Sequence, residues 1–265
     1  MEFSPQNRLE EVLVQATSEP AHRPEFFREL LEATVYVLGR SEEEILTEPR
    51  LLAGSALQLQ HWEKPDGSSA IVFFSSLAAL QQAVDSEQAF LALPTRTLFE
   101  TTRGATLFLN PKLPYGKEFL PQEIDHLLAS ESGNSLAQQQ ILDGDVALKI
   151  SVPEALPAQM THSLTELFKK HGYVKRAFIA HIQEPDETEP HWLIGLDAQG
   201  DALETLIQEA GLVATDTQPD DRPVDLCVVS ENEPGISHFL IRHTTPFYER
   251  KWGSFLRDFK NNAPA

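Results

Sequence analysis

Two short segments of this chain combine residue types that could do chemistry. The first is Tyr115-Gly116-Lys117, a phenol and an ammonium one glycine apart. A lysine in a pocket that depresses its pKa can act as base or nucleophile. An enzyme site around Tyr115 and Lys117 is therefore one reading. The second is Thr245-Pro246-Phe247-Tyr248-Glu249-Arg250-Lys251-Trp252-Gly253, which sets two cations among aromatics. Aromatics with arginine dominate protein contacts, and the same cations could seat an anionic or amino-acid ligand by charge-assisted hydrogen bonds. The competing reading is structural: Phe247 and Trp252 clamp the C-terminal segment onto a sheet while Arg250 and Lys251 pair with surplus acids. The candidate ligand or partner surface is Tyr115, Lys117, Phe247, Tyr248, Arg250, Lys251 and Trp252. No residue is assigned a catalytic role, a cofactor or a metal.

General catalytic signatures are missing. The sequence has no GxSxG or SxxK set, no GxxxxGK[ST] and no GxGxxG. Gly116-Lys117 lacks the upstream glycine and the downstream Ser or Thr of a phosphate loop. Ser75-Ser76 falls at a strand-to-helix junction, where helix capping accounts for it. The nine histidines include no HExxH, and His238 and His243 are five apart, wrong for one helical face. Cys227 is the one cysteine. It excludes an intrachain disulfide, fits a reducing compartment, and in the apolar run Val224 to Val229 reads as a buried, inert thiol.

Composition narrows the partners. With 21 Lys plus Arg against 40 Asp plus Glu, the net charge is −19. That field repels phosphate backbones and anionic lipid surfaces, so nucleic acid and membrane are excluded as partners. The N-terminus lacks the basic start and apolar stretch of a signal peptide, and no apolar run approaches the ~18 residues of a membrane span. The expected location is cytoplasmic.

The elements that must position these segments follow from periodicity. Leu9, Val12, Leu13 and Ala16 recur at helical spacing, and Pro24 opens a second helix carrying Phe26, Phe27, Leu30 and Leu31. Val35 to Leu38 is a strand ending at Gly39. Leu57 to Trp62 alternates as a strand, and Ala70 to Phe74 is continuously apolar, as in a central strand. Pro65-Asp66-Gly67 turns one into the other. A helix follows over Leu77, Leu80 and Ala83. Ala89 to Leu93 is a strand, Thr95 caps a helix, and Ala105 to Leu109 is a strand stopped by Asn110-Pro111. Pro121-Gln122-Glu123 opens a helix facing inward through Ile124, Leu127 and Leu128. The glutamine-rich stretch near Gln138 reads as a linker.

The second half reads strand (Asp145 to Val152), helix (Pro157 to Lys170), strand (Val174 to Gln183), strand (Trp192 to Leu196), helix (Leu203 to Gly211), strand (Val224 to Val229), helix (from Ile236). That βαββαβ order, with a C-terminal helix added, predicts a ferredoxin-like sandwich. The fold class is α+β: two α/β-sandwich domains, 1–132 and 145–265, joined by a linker at 133–144.

Several stretches together resemble one family. RPEFFRELLEATVYVLG, FFSSLAALQQAV and TRGATLFLNPKLPYGKEFLPQEI carry the likeness in the first half. LFKKHGYVKRAFIAHI, PHWLIGLDAQGDALE, PVDLCVV and GISHFLIRHTTPFYERKWGSFLR carry it in the second. The chain resembles the SseB family, the enhanced serine sensitivity proteins, as an N-terminal SseB domain followed by a C-terminal one. The family name records a growth phenotype and not a reaction, so the resemblance implies no catalytic residues.

The expectation is a cytosolic, non-enzymatic interaction or regulatory protein with an unidentified protein partner and no cofactor. The alternatives are a small-molecule sensor binding an amino acid at the domain loops, and an enzyme with an unfamiliar site at Tyr115 and Lys117. Oligomeric state is not legible.

Overall fold

The computed structural model describes residues 4–41, 57–64, 66–130 and 148–251. The chain divides into two compact units, Met1–Gln138 and Gln139–Ala265. The linker expected at 133–144, the acidic run 42–44, Pro65 and Trp252 lie outside the described residues.

The first unit begins with helix α1 (Arg8–Ser18), a short 3-10 turn (Pro20–His22) and α2 (Arg23–Glu32). Strands β1 (Thr34–Ser41), β2 (Leu57–Leu59), β3 (His61–Glu63) and β4 (Ser69–Phe74) follow. Then come α3 (Leu77–Ala83), β5 (Phe90–Pro94), α4 (Thr95–Thr101), β6 (Leu107–Leu109), β7 (Lys117–Phe119) and α5 (Pro121–Ser130). The sheet order is β2-β1-β4-β6-β7, with β3 also on β4 and β5 on β1. Among the described strands of this unit only the β4–β6 pair is parallel.

β4 is apolar and buried from Ala70 to Phe74, with helices over both its faces. Phe73 points into an aromatic cluster, with ring centroids 6.0 Å from Phe99 and 6.0 Å from Phe119. Val72 and Phe74 point the other way, against Leu38 and the α3 residues Ala79, Leu80 and Ala83. The expected turn closes the β3–β4 hairpin, with Trp62 opposite Ala70.

Four local expectations of this unit are corrected. β1 does not stop at Gly39 but runs to Ser41. A Cβ at Gly39 would lie 2.4 Å from the Gln58 carbonyl oxygen, so the glycine permits a close approach of β2. The alternating run 57–62 is two short strands, β2 pairing with β1 and β3 with β4. Thr95 is inside its helix, and both its N–H and its hydroxyl donate to the Ala33 carbonyl. Ser76 alone caps α3, accepting from the Ala79 N–H at 3.0 Å, while Ser75 serves another purpose described below.

The second unit runs β8 (Lys149–Ser151), α6 (Ala158–Lys170), β9 (Val174–Gln183), β10 (His191–Ala198), α7 (Leu203–Thr217), β11 (Val224–Val228), α8 (Ile236–His243) and β12 (Tyr248–Glu249). Through α8 the element types match the sequence reading, with β12 added, but the pairing is not ferredoxin-like. β10 and β11 are parallel neighbours, β9 and β10 are antiparallel, and β8 lies on β9. A ferredoxin-like sheet would need β8 between β10 and β11. The short β8 instead shares the outer edge of β9 with β12, β8 at Ile182 and β12 at Ala177.

Alternation along these strands separates two covers. Ile179, Ile194 and Leu226 stand in register on one face, beside α7, where Leu226 Cδ1 is 3.7 Å from a Cβ built at Gly211. Phe178, Ala180 and Leu193 stand on the other, packed with Val229 and the α8 residue Leu240. α7 therefore leaves β10 toward one face and α8 leaves β11 toward the opposite one. α7 also continues through Gly211, where the sequence suggested an end. Val213, Ala214 and Thr217 extend its buried stripe, and that packing outweighs the ~1 kcal/mol helix penalty of one glycine.

Candidate functional site

In the first unit Asn110 ends β6 with a positive φ of 53° and no solvent exposure. Asparagine tolerates this left-handed backbone better than most residues. The chain turns through Leu113, whose N–H donates to the Asn110 carbonyl, and returns as β7. Lys117 opens β7, opposite Leu109. Its Nζ lies 2.8 Å from Glu123 Oε1 on α5 and over the rings of Phe119 (4.9 Å) and Phe27 (5.7 Å). Lys117 thus ties β7 to two helices by an ion pair and cation–π contacts. Tyr115 is half-buried in the same turn.

The polar chemistry that sequence reasoning missed is beside it. The Ser75 N–H donates to Asn110 Oδ1 (3.1 Å), and Asn110 Nδ2 donates to Ser75 Oγ (2.8 Å). The Ser75 hydroxyl donates to Glu10 Oε1 (2.7 Å), and the other Glu10 oxygen accepts from the Gln6 N–H. Asn7 caps α1 by accepting from the Glu10 N–H and donates to the Ser75 carbonyl. Glu10, Ser75 and Asn110 are all buried. Every partner is satisfied, so this is a joint between α1, the end of β4 and the end of β6. A polar residue at the end of each apolar run was the available signal.

In the second unit the segment from Phe247 is a strap across the sheet edge. The Phe247 N–H donates to the Ala177 carbonyl and the Arg250 N–H to the Lys175 carbonyl, both at 2.9 Å. The Tyr248 ring is 5.6 Å from Phe168, its hydroxyl reaches the Phe168 carbonyl, and the residue is 8% exposed. Phe247 also meets Phe168, at 6.3 Å. The aromatics are spent on α6 and β9. Arg250 donates from its guanidinium to the Gly172 carbonyl and to no acid among the described residues. Arg250 and Lys251 remain exposed.

Arg250 also lines a groove of about 510 Å³ at this end of the sheet. Its charged walls are Lys175, Arg176 and Arg250 with Asp197, Glu231 and Glu249. Arg176 is its best-held charge. Nε and Nη2 both donate to Asp197 Oδ2 (2.9 and 2.7 Å), and the guanidinium carbon sits 5.6 Å from the Phe178 ring centroid. These bonds raise the Arg176 pKa further above its usual value. Nη2 also donates to Glu231 Oε1 at 3.0 Å.

Two further groups have assigned places. Cys227 is half-buried beside the α8 cluster. Burial, with Asp225 and Glu233 nearby, pushes its thiol up to about 12, against a nucleophilic role. His191 is held between Glu187 (Nδ1, 3.1 Å) and Asp225 (Nε2, 2.8 Å), fastening the start of β10 to β11. Among the described residues no group of three or more His, Cys, Asp or Glu could hold a metal ion, and no helix is long and apolar enough to cross a membrane.

These features define an α+β chain in two units, each built on its own mixed sheet. The family model described as SseB protein N-terminal domain matches residues 9–126, and the SseB protein C-terminal domain matches 142–250. Protein SseB of Escherichia coli (strain K12) is 57% identical over 256 residues, 97% of each chain, and Protein SseB of Shigella flexneri gives the same figures. No solved structure matches. The chain belongs to the SseB family.

Proposed function

We propose that this chain is a non-enzymatic interaction or regulatory protein of the cytoplasm that engages a protein partner with the cationic end of its second unit. The observation carrying this reading is the strap at β12. Phe247 and Tyr248 are anchored under Phe168, so the exposed Arg250 and Lys251 are displayed beside exposed Lys175 on a fixed backbone. A cationic ridge on a chain of net charge −19 is a local sign reversal of the kind that orients partners.

Affinity capture from lysate at low salt tests it. Tyr248 is the wrong residue to alter, because it is buried and its loss would unfold the strap. The informative variant is Arg250→Ala with Lys251→Ala. Wild type should retain a stoichiometric protein that the double variant releases, with recovery falling as salt rises. Absence of a stoichiometric partner, or equal recovery with the double variant, refutes the proposal.

A further inference from the structure

The groove beside that ridge has a chemistry of its own. β10 and β11 are adjacent parallel strands, and the helices that follow them, α7 and α8, leave toward opposite faces. Loops that diverge in this way open a crevice at the carboxyl ends of the two strands, where open sheets of this type take ligands. The groove lies at that place, between Asp197 near the end of β10 and Ser230 and Glu231 after β11.

Arg176 crosses it in a fixed orientation. Asp197, whose side chain is 11% exposed, takes the Nε side of the guanidinium, and Phe178 supports it from below. Glu231 takes one further N–H, from Nη2 alone. Among the described residues Nη1 makes no hydrogen bond, so the end-on fork of Nη1 and Nη2 is not filled there as a bidentate carboxylate would fill it. The Glu231 side chain is 74% exposed, and an ion pair so exposed contributes little. The loop does not depend on it. The Val229 N–H donates to the Leu196 carbonyl, the Ser230 N–H to the Ser237 hydroxyl and the Glu233 N–H to the Ser230 carbonyl. Glu231 can rotate away while the loop stays.

We infer that the groove is a binding site for a small free carboxylate, with Arg176 as its receptor and Glu231 as an internal placeholder that the ligand displaces. The incoming carboxylate takes the end-on fork of Arg176, with Lys175 and Arg250 also on the walls and Glu249 the acid beside them. The volume suits a small organic acid. The site does not require the protein partner proposed above, and failure of partner capture leaves it standing.

The test is a titration of the isotope-labelled full chain with sodium succinate, against sodium chloride of matched ionic strength, read at the Arg176 Nε–H and the backbone amides of Ser230, Glu231 and Glu233. Wild type should show saturable shifts in the millimolar range that chloride does not reproduce. Glu231→Ala removes the competitor, so succinate should bind about tenfold more tightly. Arg176→Lys keeps the charge and loses the fork, and binding should disappear. A purely structural Glu231 would instead leave affinity unchanged or lower it. Shifts that only follow chloride, or a Glu231→Ala affinity equal to or below wild type, would overturn the assignment. Glu231 is exposed, so that variant keeps the question decidable even if Arg176→Lys fails to fold.

Discussion

Ser75 and Asn110, 35 residues apart, exchange hydrogen bonds in both directions, backbone N–H to Oδ1 at 3.1 Å and Nδ2 to hydroxyl at 2.8 Å. The exchange joins the ends of two parallel strands, β4 and β6. Asn110 makes both bonds from a left-handed backbone. Asn110→Ala should lose both bonds and strain the turn, costing about 2–4 kcal/mol in urea unfolding. Asn110→Gly accepts the same backbone and should cost about 1 kcal/mol less. Equal losses would mean that the positive φ carries no strain.

Gly195 faces α8 from the middle of β10. A Cβ there would come within 2.5 Å of Leu240 Cδ1 and 2.7 Å of Val229 Cγ2, both in a packed cluster. Gly195→Ala should destabilise by about 1–3 kcal/mol through overpacking. The control is Gly172→Ala, where nothing lies within 4 Å of the new methyl.

Tyr248 locks the strap. Tyr248→Phe removes one long hydrogen bond and should cost about 1 kcal/mol, whereas Tyr248→Ala empties a buried aromatic site and should cost about 3–5 kcal/mol. Chemical denaturation followed by aromatic fluorescence separates the two.

Alkaline pH should loosen the second unit. The Cys227 thiol is raised by burial from 9.0 to about 12, and burial also raises the Tyr248 phenol above 10.0. Both groups are held neutral in the folded state more firmly than in the unfolded one. Their contribution is full below the unfolded values and drains as pH climbs from about 9 toward 12. Thermal melts across that window should fall for wild type and fall less steeply for Cys227→Ala. At pH 8 the folded thiol should resist iodoacetamide.

Lys117 is expected to be dispensable for chemistry. Lys117→Met keeps a long apolar stem over Phe27 and Phe119 and deletes the pair with Glu123. Stability should change by less than about 1 kcal/mol, and capture of any protein partner should be unaltered. Loss of capture would return the Tyr115 turn to the candidate surface.

Periodicity was strong enough to reveal the helices and the long strands, since Met160, Leu164, Leu167 and Phe168 can share a face only on a helix. It could not show which strands become neighbours. β8 has the same pattern whether it pairs with β9 or sits between β10 and β11, and long-range packing decides. Short strands such as Lys117–Phe119 hold too few residues for a period to register. Of the candidate surface, Arg250 falls on the groove while Phe247 and Tyr248 turn inward. Composition in that segment marks its importance but does not distinguish an anchor from a contact. Arg176, Asp197 and Glu231 lie on three separate elements, and no linear motif could have gathered them.

The outer rim of β9 is capped by pieces from both ends of the second unit, β8 near Ile182 and β12 near Ala177. A long apolar strand with a bare rim is a template for other chains, and short caps are one way proteins blunt that hazard. Truncation just before Phe247 would strip one cap, so shortened forms of this chain should form intermolecular β-aggregates at concentrations where the intact chain stays dispersed.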